Sequence, residues 1–87
     1  MITLGEALSV QAQWAEAAEA FDKAAALRPT DARPVVNSAA AQLELGRKRE
    51  AAAGFRKALR LLEGGDEAQL AAKARRGLEV AEKGTRF

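Results

Sequence analysis

The chain repeats itself at a spacing of 34 residues. Displaced by that amount, Glu16-Ala17-Ala18 falls on Glu50-Ala51-Ala52, Phe21 on Phe55, Lys23-Ala24 on Lys57-Ala58 and Leu27 on Leu61. Each period carries two helical patterns. A unit of that kind cannot bury its apolar face alone and does so by stacking on its neighbour. Stacked helical units present an extended surface and do not usually enclose a reaction centre. The expected job is therefore to hold another protein.

Composition narrows the rest. At 87 residues the chain forms one domain with a modest core. A domain of this size buries roughly 60 to 65% of the surface its unfolded chain exposes, so its stability is expected to be small. Alanine is plentiful, which favours helix and lets helices approach closely. The sequence has no cysteine, so disulfides, thiol chemistry and thiolate metal sites are excluded. It has no histidine, the commonest general base and metal ligand. It also shows no glycine-rich phosphate loop, no metal-ligand spacing and no Ser or Thr beside a plausible base. The expectation is a non-enzyme with no cofactor and no metal. No apolar run approaches the ~20 residues of a membrane span. The start, Met1-Ile2-Thr3-Leu4, lacks the features of a signal peptide. A cytoplasmic protein with no membrane partner is expected. Net charge is +2, from 14 basic and 12 acidic residues interspersed, which gives nucleic-acid binding little support.

Five helices are expected. The first covers about Leu4 to Ala12, with Thr3 and Glu6 as a capping box. The second runs from about Ala15 to Arg28 on an apolar stripe of Ala17, Ala18, Phe21, Ala24, Ala25 and Leu27, and Pro29 ends it. Asp31 caps the third, which holds Pro34 in its first turn and continues to Leu45. Gly46 supplies the next turn. The fourth helix runs from Lys48 to Leu62, with Ala51, Ala52, Phe55, Ala58, Leu59 and Leu62 on one side. After Gly64-Gly65, Asp66 caps the fifth, with Gln69 in the capping-box position and a stripe of Leu70, Ala71, Ala74, Leu78 and Ala81 reaching about Lys83.

These residues resemble the tetratricopeptide repeat (TPR) family. The first repeat matches its pattern with Leu4-Gly5, Leu8, Trp14, Ala17, Phe21, Ala24 and Pro29, and the second with Ala39, Ala51, Phe55 and Ala58. Ser38 and Gln42 stand where the family prefers large apolar residues, and Glu63 stands where it has a proline. The resemblance implies an all-α fold, a short right-handed α-solenoid of two antiparallel helix hairpins plus a fifth solvating helix. It divides the chain into repeat one (1–31), repeat two (32–65), a capping helix (66–83) and a frayed tail (84–87). Phe21 and Phe55 would fill the gap between hairpins, and Ala17, Ala24, Ala51 and Ala58 would sit where helices nearly touch. Two repeats are few, since roughly three are needed for independent stability. The expectations are a short member, a piece of a longer array, or a chain that associates with itself.

The resemblance also implies a concave groove, lined by each repeat's first helix, that takes a peptide segment or an amphipathic helix of a partner protein. Its lining here would be Val10, Arg33, Val36, Asn37, Ala40, Leu43 and Glu44, with Ile2, Glu6 and Ser9 beside Val10. Val10, Val36 and Leu43 would form its apolar strip, so charging Val36 and Leu43 would abolish binding and leave helicity intact. Asn37 matches one member of a carboxylate clamp known in the family, but Ile2 and Glu6 stand where the clamp needs Lys and Asn. The alternative is a structural self-assembly element, a homo-oligomer formed through exposed solenoid ends. Trp14 is expected to be packing, and Gln42 needs partners if buried. The basic runs Arg47-Lys48-Arg49, Arg56-Lys57, Arg60 and Lys73, Arg75, Arg76 are expected to be solvated faces, with Glu79 and Lys83 paired along one turn.

Overall fold

A computed structural model of the chain describes residues 4–83, with side chains described from Ala12 onward. The described part is all-helical, with four helices and no strand: α1 (Leu4–Leu27), α2 (Ala32–Glu44), α3 (Lys48–Leu62) and α4 (Ala68–Lys83). Among the described residues, consecutive helices pack on one another, α2 also packs on α4, and α1 touches only α2. The two ends of the sequence, with the expected Thr3 cap and the 84–87 tail, lie outside the described residues.

Where two helices and a turn were expected at the start, the structure has one helix of 24 residues. Comparison with the second repeat shows why. The turn between α2 and α3 is made by Gly46, whose φ is +80°. Its N–H donates to the Leu43 carbonyl at 3.0 Å, and the Arg47 N–H donates to the Gln42 carbonyl at 2.9 Å. That pair of bonds is a Schellman motif, and it needs a residue that tolerates the left-handed region. The position 34 residues earlier is Ala12. Alanine is the best helix former and pays a steric penalty at positive φ. Gln13 and Trp14 follow without a glycine or proline, so nothing stops the helix there.

The other boundaries follow their local chemistry. α1 stops at Leu27, two residues before Pro29. Asp31 caps α2: its φ and ψ are −88° and 115°, and its Oδ1 accepts from the Arg33 N–H at 3.0 Å. The loop after α3 uses Gly64 at φ +74°. α4 begins one residue later than the expected cap at Asp66 allows: its first bond runs from the Ala71 N–H to the Glu67 carbonyl at 3.0 Å.

The core lies between α2, α3 and α4. Phe55 fills its middle at 2% exposure, ringed by buried Val36, Ala39, Ala51, Ala58, Ala74 and Ala81. Leu59, Leu62, Leu70 and Leu78 pack half-buried against this cluster. Two helical glycines set the spacing. A Cβ on Gly54 would come within 2.9 Å of the Ala39 Cβ, so α2 and α3 nearly touch there. A Cβ on Gly77 would lie 2.2 Å from the Phe55 Cζ, so the ring rests directly on the α4 backbone.

α1 is bound more thinly. Of its expected stripe only Ala18 is buried, Ala17, Phe21, Ala24 and Ala25 are half-buried, and Leu27 is 84% exposed. Phe21 thus does not repeat the role of Phe55. The Ser38 hydroxyl of α2 donates to Asp22 Oδ1 of α1 at 2.5 Å. The projecting helix stretches the molecule to 45 × 30 × 20 Å, with a radius of gyration of 13.4 Å. A compact chain of this length is expected near 12 Å.

Candidate binding surface

α2 occupies the centre of the molecule and faces three ways. One side meets α1, a second meets α3, and a third meets α4. What remains is a narrow outward strip on which Arg33 and Glu44 are exposed and Asn37 is half-buried. These three stand four and seven residues apart, which keeps them on one helical face.

The expected groove residues are thereby divided. Val36 has no exposure and belongs to the core, so it is not available to a partner. Ala40 and Leu43 are half-buried and pack against that core. α2 packs on α4 as well as on α1 and α3, and the face expected to line a groove joins the core cluster instead. Arg33, Asn37 and Glu44 keep open positions. Val10 lies on α1, and its side chain, like those of Glu6 and Ser9, lies outside the described side chains; Ile2 lies outside the described residues.

Two open hollows flank the strip. The larger, about 740 Å³, lies between the start of α2 and the start of α4, and is walled by Arg33, Asp66, Glu67, Gln69, Leu70 and Lys73. The second, about 510 Å³, lies on the α1 side, between Phe21, Ala24 and Leu27 and the Pro34 and Asn37 positions of α2. Arg33 borders both. Its guanidinium forks onto Asp31, Nε to Oδ1 at 3.2 Å and Nη2 to Oδ2 at 3.1 Å. The bonds from Arg33, side chain first and backbone second, hold the Asp31 carboxyl below its ordinary value of 3.8. The same bonding, with the nearby charge of Glu67, raises Arg33.

The sign of this linkage yields a prediction. A carboxyl depressed in the folded state contributes stability that is fully present above its ordinary value and lost as pH falls through the lowered one. Asp31→Ala is therefore expected to lower the denaturation midpoint at pH 7. The gap from the wild type should close as the medium is taken below pH 3, read by urea titration of the helical signal at both pH values. An equal gap at both would mean that the charge of Asp31 contributes nothing.

The remaining singled-out residues find ordinary places. Gln42 is half-buried at the α2–α3 turn, where its Oε1 accepts from Arg47 Nη1 at 3.3 Å and its carbonyl accepts the Arg47 N–H. Buried Ser38 is satisfied by Asp22, to which its hydroxyl donates. Arg56 pairs with Glu82, and Lys83 with Glu79 at 3.3 Å, so part of the basic surface ties α3 to α4 and α4 to itself. Exposed pairs of this kind stabilise by little. Among the described residues no group of three or more His, Cys, Asp or Glu converges in a way that could hold a metal ion. No described helix is long and apolar enough to cross a membrane.

Sequence reasoning missed Gly54 and Gly77. A glycine inside an otherwise helical pattern is the available signal, because it costs about 1 kcal/mol against alanine and so marks a close approach. Compared with models of known families, with curated proteins and with solved structures, the chain matches none.

Proposed function

We propose that the chain is a non-enzymatic protein-interaction module, a short TPR-like helical stack acting as an adaptor in the cytoplasm. Its partner would be a peptide segment or an amphipathic helix of another protein, laid along the outward strip of α2 toward α4. In the TPR-like reading, α2 and α3 are one hairpin of a right-handed solenoid, α4 is its capping helix, and α1 is the second helix of the preceding repeat. What supports that arrangement is the chain of sequential packing, with α2 also resting on α4.

The observation that carries the binding reading is the open hollow beside Arg33. It offers apolar contacts at Ala68 and Leu70, an amide group at Gln69, and both signs of charge at Arg33, Lys73, Asp66 and Glu67, with Asn37 one turn beyond Arg33 on the same strip of α2. That mixture suits a peptide backbone with alternating polar and apolar side chains better than it suits a small apolar molecule. It has none of the aromatic interleaving that single-stranded nucleic acid stacks on.

A display library of short peptides selected on the full chain provides the test. Selected segments are expected to bind Asn37→Ala/Lys73→Glu at least tenfold more weakly, with the helical signal of the variant unchanged. Lys73 is exposed, and Asn37 is half-buried but outside the core cluster, so the fold should tolerate the changes. A selected pool that binds both proteins equally would remove this strip from consideration.

A further inference from the structure

Ala17, Phe21 and Ala24 of α1 are the 34-residue counterparts of Ala51, Phe55 and Ala58 of α3. The α3 set is buried to 2% exposure or less. The α1 set is half-buried, and it continues into Trp14 at 37% exposure. The same residue types thus lie inside the body in one helix and at its surface in the other. On α3 this face is closed by neighbouring helices, including α2, the segment that precedes it in the chain. The segment that precedes α1's own face is residues 4–12, and it cannot fold back because the helix runs through Ala12 without a turn.

The stripe has an internal symmetry that says what can cover it. Ala7, Val10, Trp14, Ala17, Phe21 and Ala24 follow one another at steps of three, four, three, four and three. That is the seam spacing of a coiled coil, about 3.5 residues per turn. The six positions are arranged symmetrically about the point between Ala15 and Glu16, which is also the midpoint of the helix Leu4–Leu27. A second α1 laid antiparallel over the full length therefore pairs sequence position 14 with 17, 10 with 21 and 7 with 24, so that Trp14 meets Ala17 and no paired position carries a charged residue. The flank beside the seam holds Glu6, Gln13, Ala20 and Leu27, so two copies bring no cluster of like charge together there. The inner face of α1, with Ala18 and Asp22, lies about a quarter turn from this stripe and stays on α2.

We infer that the chain forms a two-fold homodimer through α1, paired antiparallel with α1 of a second copy along the Trp14, Ala17, Phe21 and Ala24 face. Residue i of one copy meets residue j of the other and the reverse, which is the self-complementarity a two-fold contact requires. The contact leaves the hollow between α2 and α4 open. The dimer does not rest on the groove reading, and either can fail alone.

Trp14, the single tryptophan, lies in the proposed contact and reports on it without substitution. The wild-type mass, measured by light scattering from about 10 µM to about 1 mM, is expected to rise from 9.2 kDa toward twice that value. The Trp14 emission should shift to the blue over the same concentration range. Because the chain has no cysteine, orientation can be read by cross-linking. Oxidation of a mixture of Trp14→Cys and Ala17→Cys chains should give a mixed disulfide several-fold above either like pair. A mass that stays at the monomer value throughout overturns the proposal and leaves the α1 face to a different protein. So does a dimer whose tryptophan emission does not move, or one in which Trp14→Cys cross-links chiefly to itself, as a parallel pair would.

Discussion

Phe55→Ala is expected to cost about 3–5 kcal/mol. A chain of 87 residues has about 4–13 kcal/mol in total, so the loss is a large share of the whole and the urea midpoint should fall steeply. Among the described residues the ring is the largest fully buried side chain, and it rests on the α4 backbone at Gly77. The partner change is more informative. Gly77→Ala ought to stabilise α4 by about 1 kcal/mol on helix propensity alone. Its methyl would instead lie 2.2 Å from the Phe55 Cζ, and displacing a core ring costs about 1–3 kcal/mol. The net sign should be destabilising. In a Phe55→Leu background the atoms that clash, Cζ and both Cε, are gone. There the same Gly77→Ala change should turn neutral or stabilising. Urea denaturation of the four proteins of this cycle measures the coupling. Additive effects would mean that ring and glycine do not touch.

The second large effect is at Val36. Val36→Glu is expected to unfold the protein, because it places a carboxylate at a position with no solvent exposure and no basic partner in the core cluster. Asn37→Glu, one residue further on, should change stability by no more than about 0.5 kcal/mol. Circular dichroism melts of the two variants give the comparison directly. A folded Val36→Glu chain would place that face of α2 outward, toward a groove, and against the packing described above.

That pair of neighbours marks what could be read from the sequence. The bounds of α2 and α3 were legible because Asp31, Pro34, Gly46 and Gly64 each act locally. A cap, a fixed φ or a left-handed residue needs no knowledge of the rest of the fold. The apolar stripe of α3 was legible too, since Ala51, Phe55 and Ala58 face one core. Assigning faces on α2 was harder. A helix with three neighbours buries more than one stripe, and periodicity alone does not tell a buried side from a binding side. So Val36 was assigned to a groove, while Arg33, Asn37 and Glu44 kept open positions. The first hairpin is absent for a different reason. Repetition identifies Ala12 as the counterpart of Gly46, but equivalence of position does not carry equivalence of conformation. A turn that depends on positive φ is lost when alanine replaces glycine, although every stripe residue around it persists. Gly54 and Gly77 went unnoticed because a glycine's importance lies in what approaches it, here Ala39 and Phe55, and that is a matter of tertiary distance.

The order of contacts has a kinetic consequence. Among the described residues α1 meets only α2, and every other packed pair lies next to or one helix away from its partner along the chain. Little chain must be closed into a loop before any contact forms, so the entropic barrier is low and folding should fall among the microsecond-to-millisecond helical proteins. Wiring of this kind also lets the molecule come apart in stages. With one neighbour and one buried residue on its described stretch, α1 can peel away while α2, α3 and α4 hold together around Phe55. Amide exchange would then run faster along α1 than in the body, and the helix that meets a second copy would be the one most easily released.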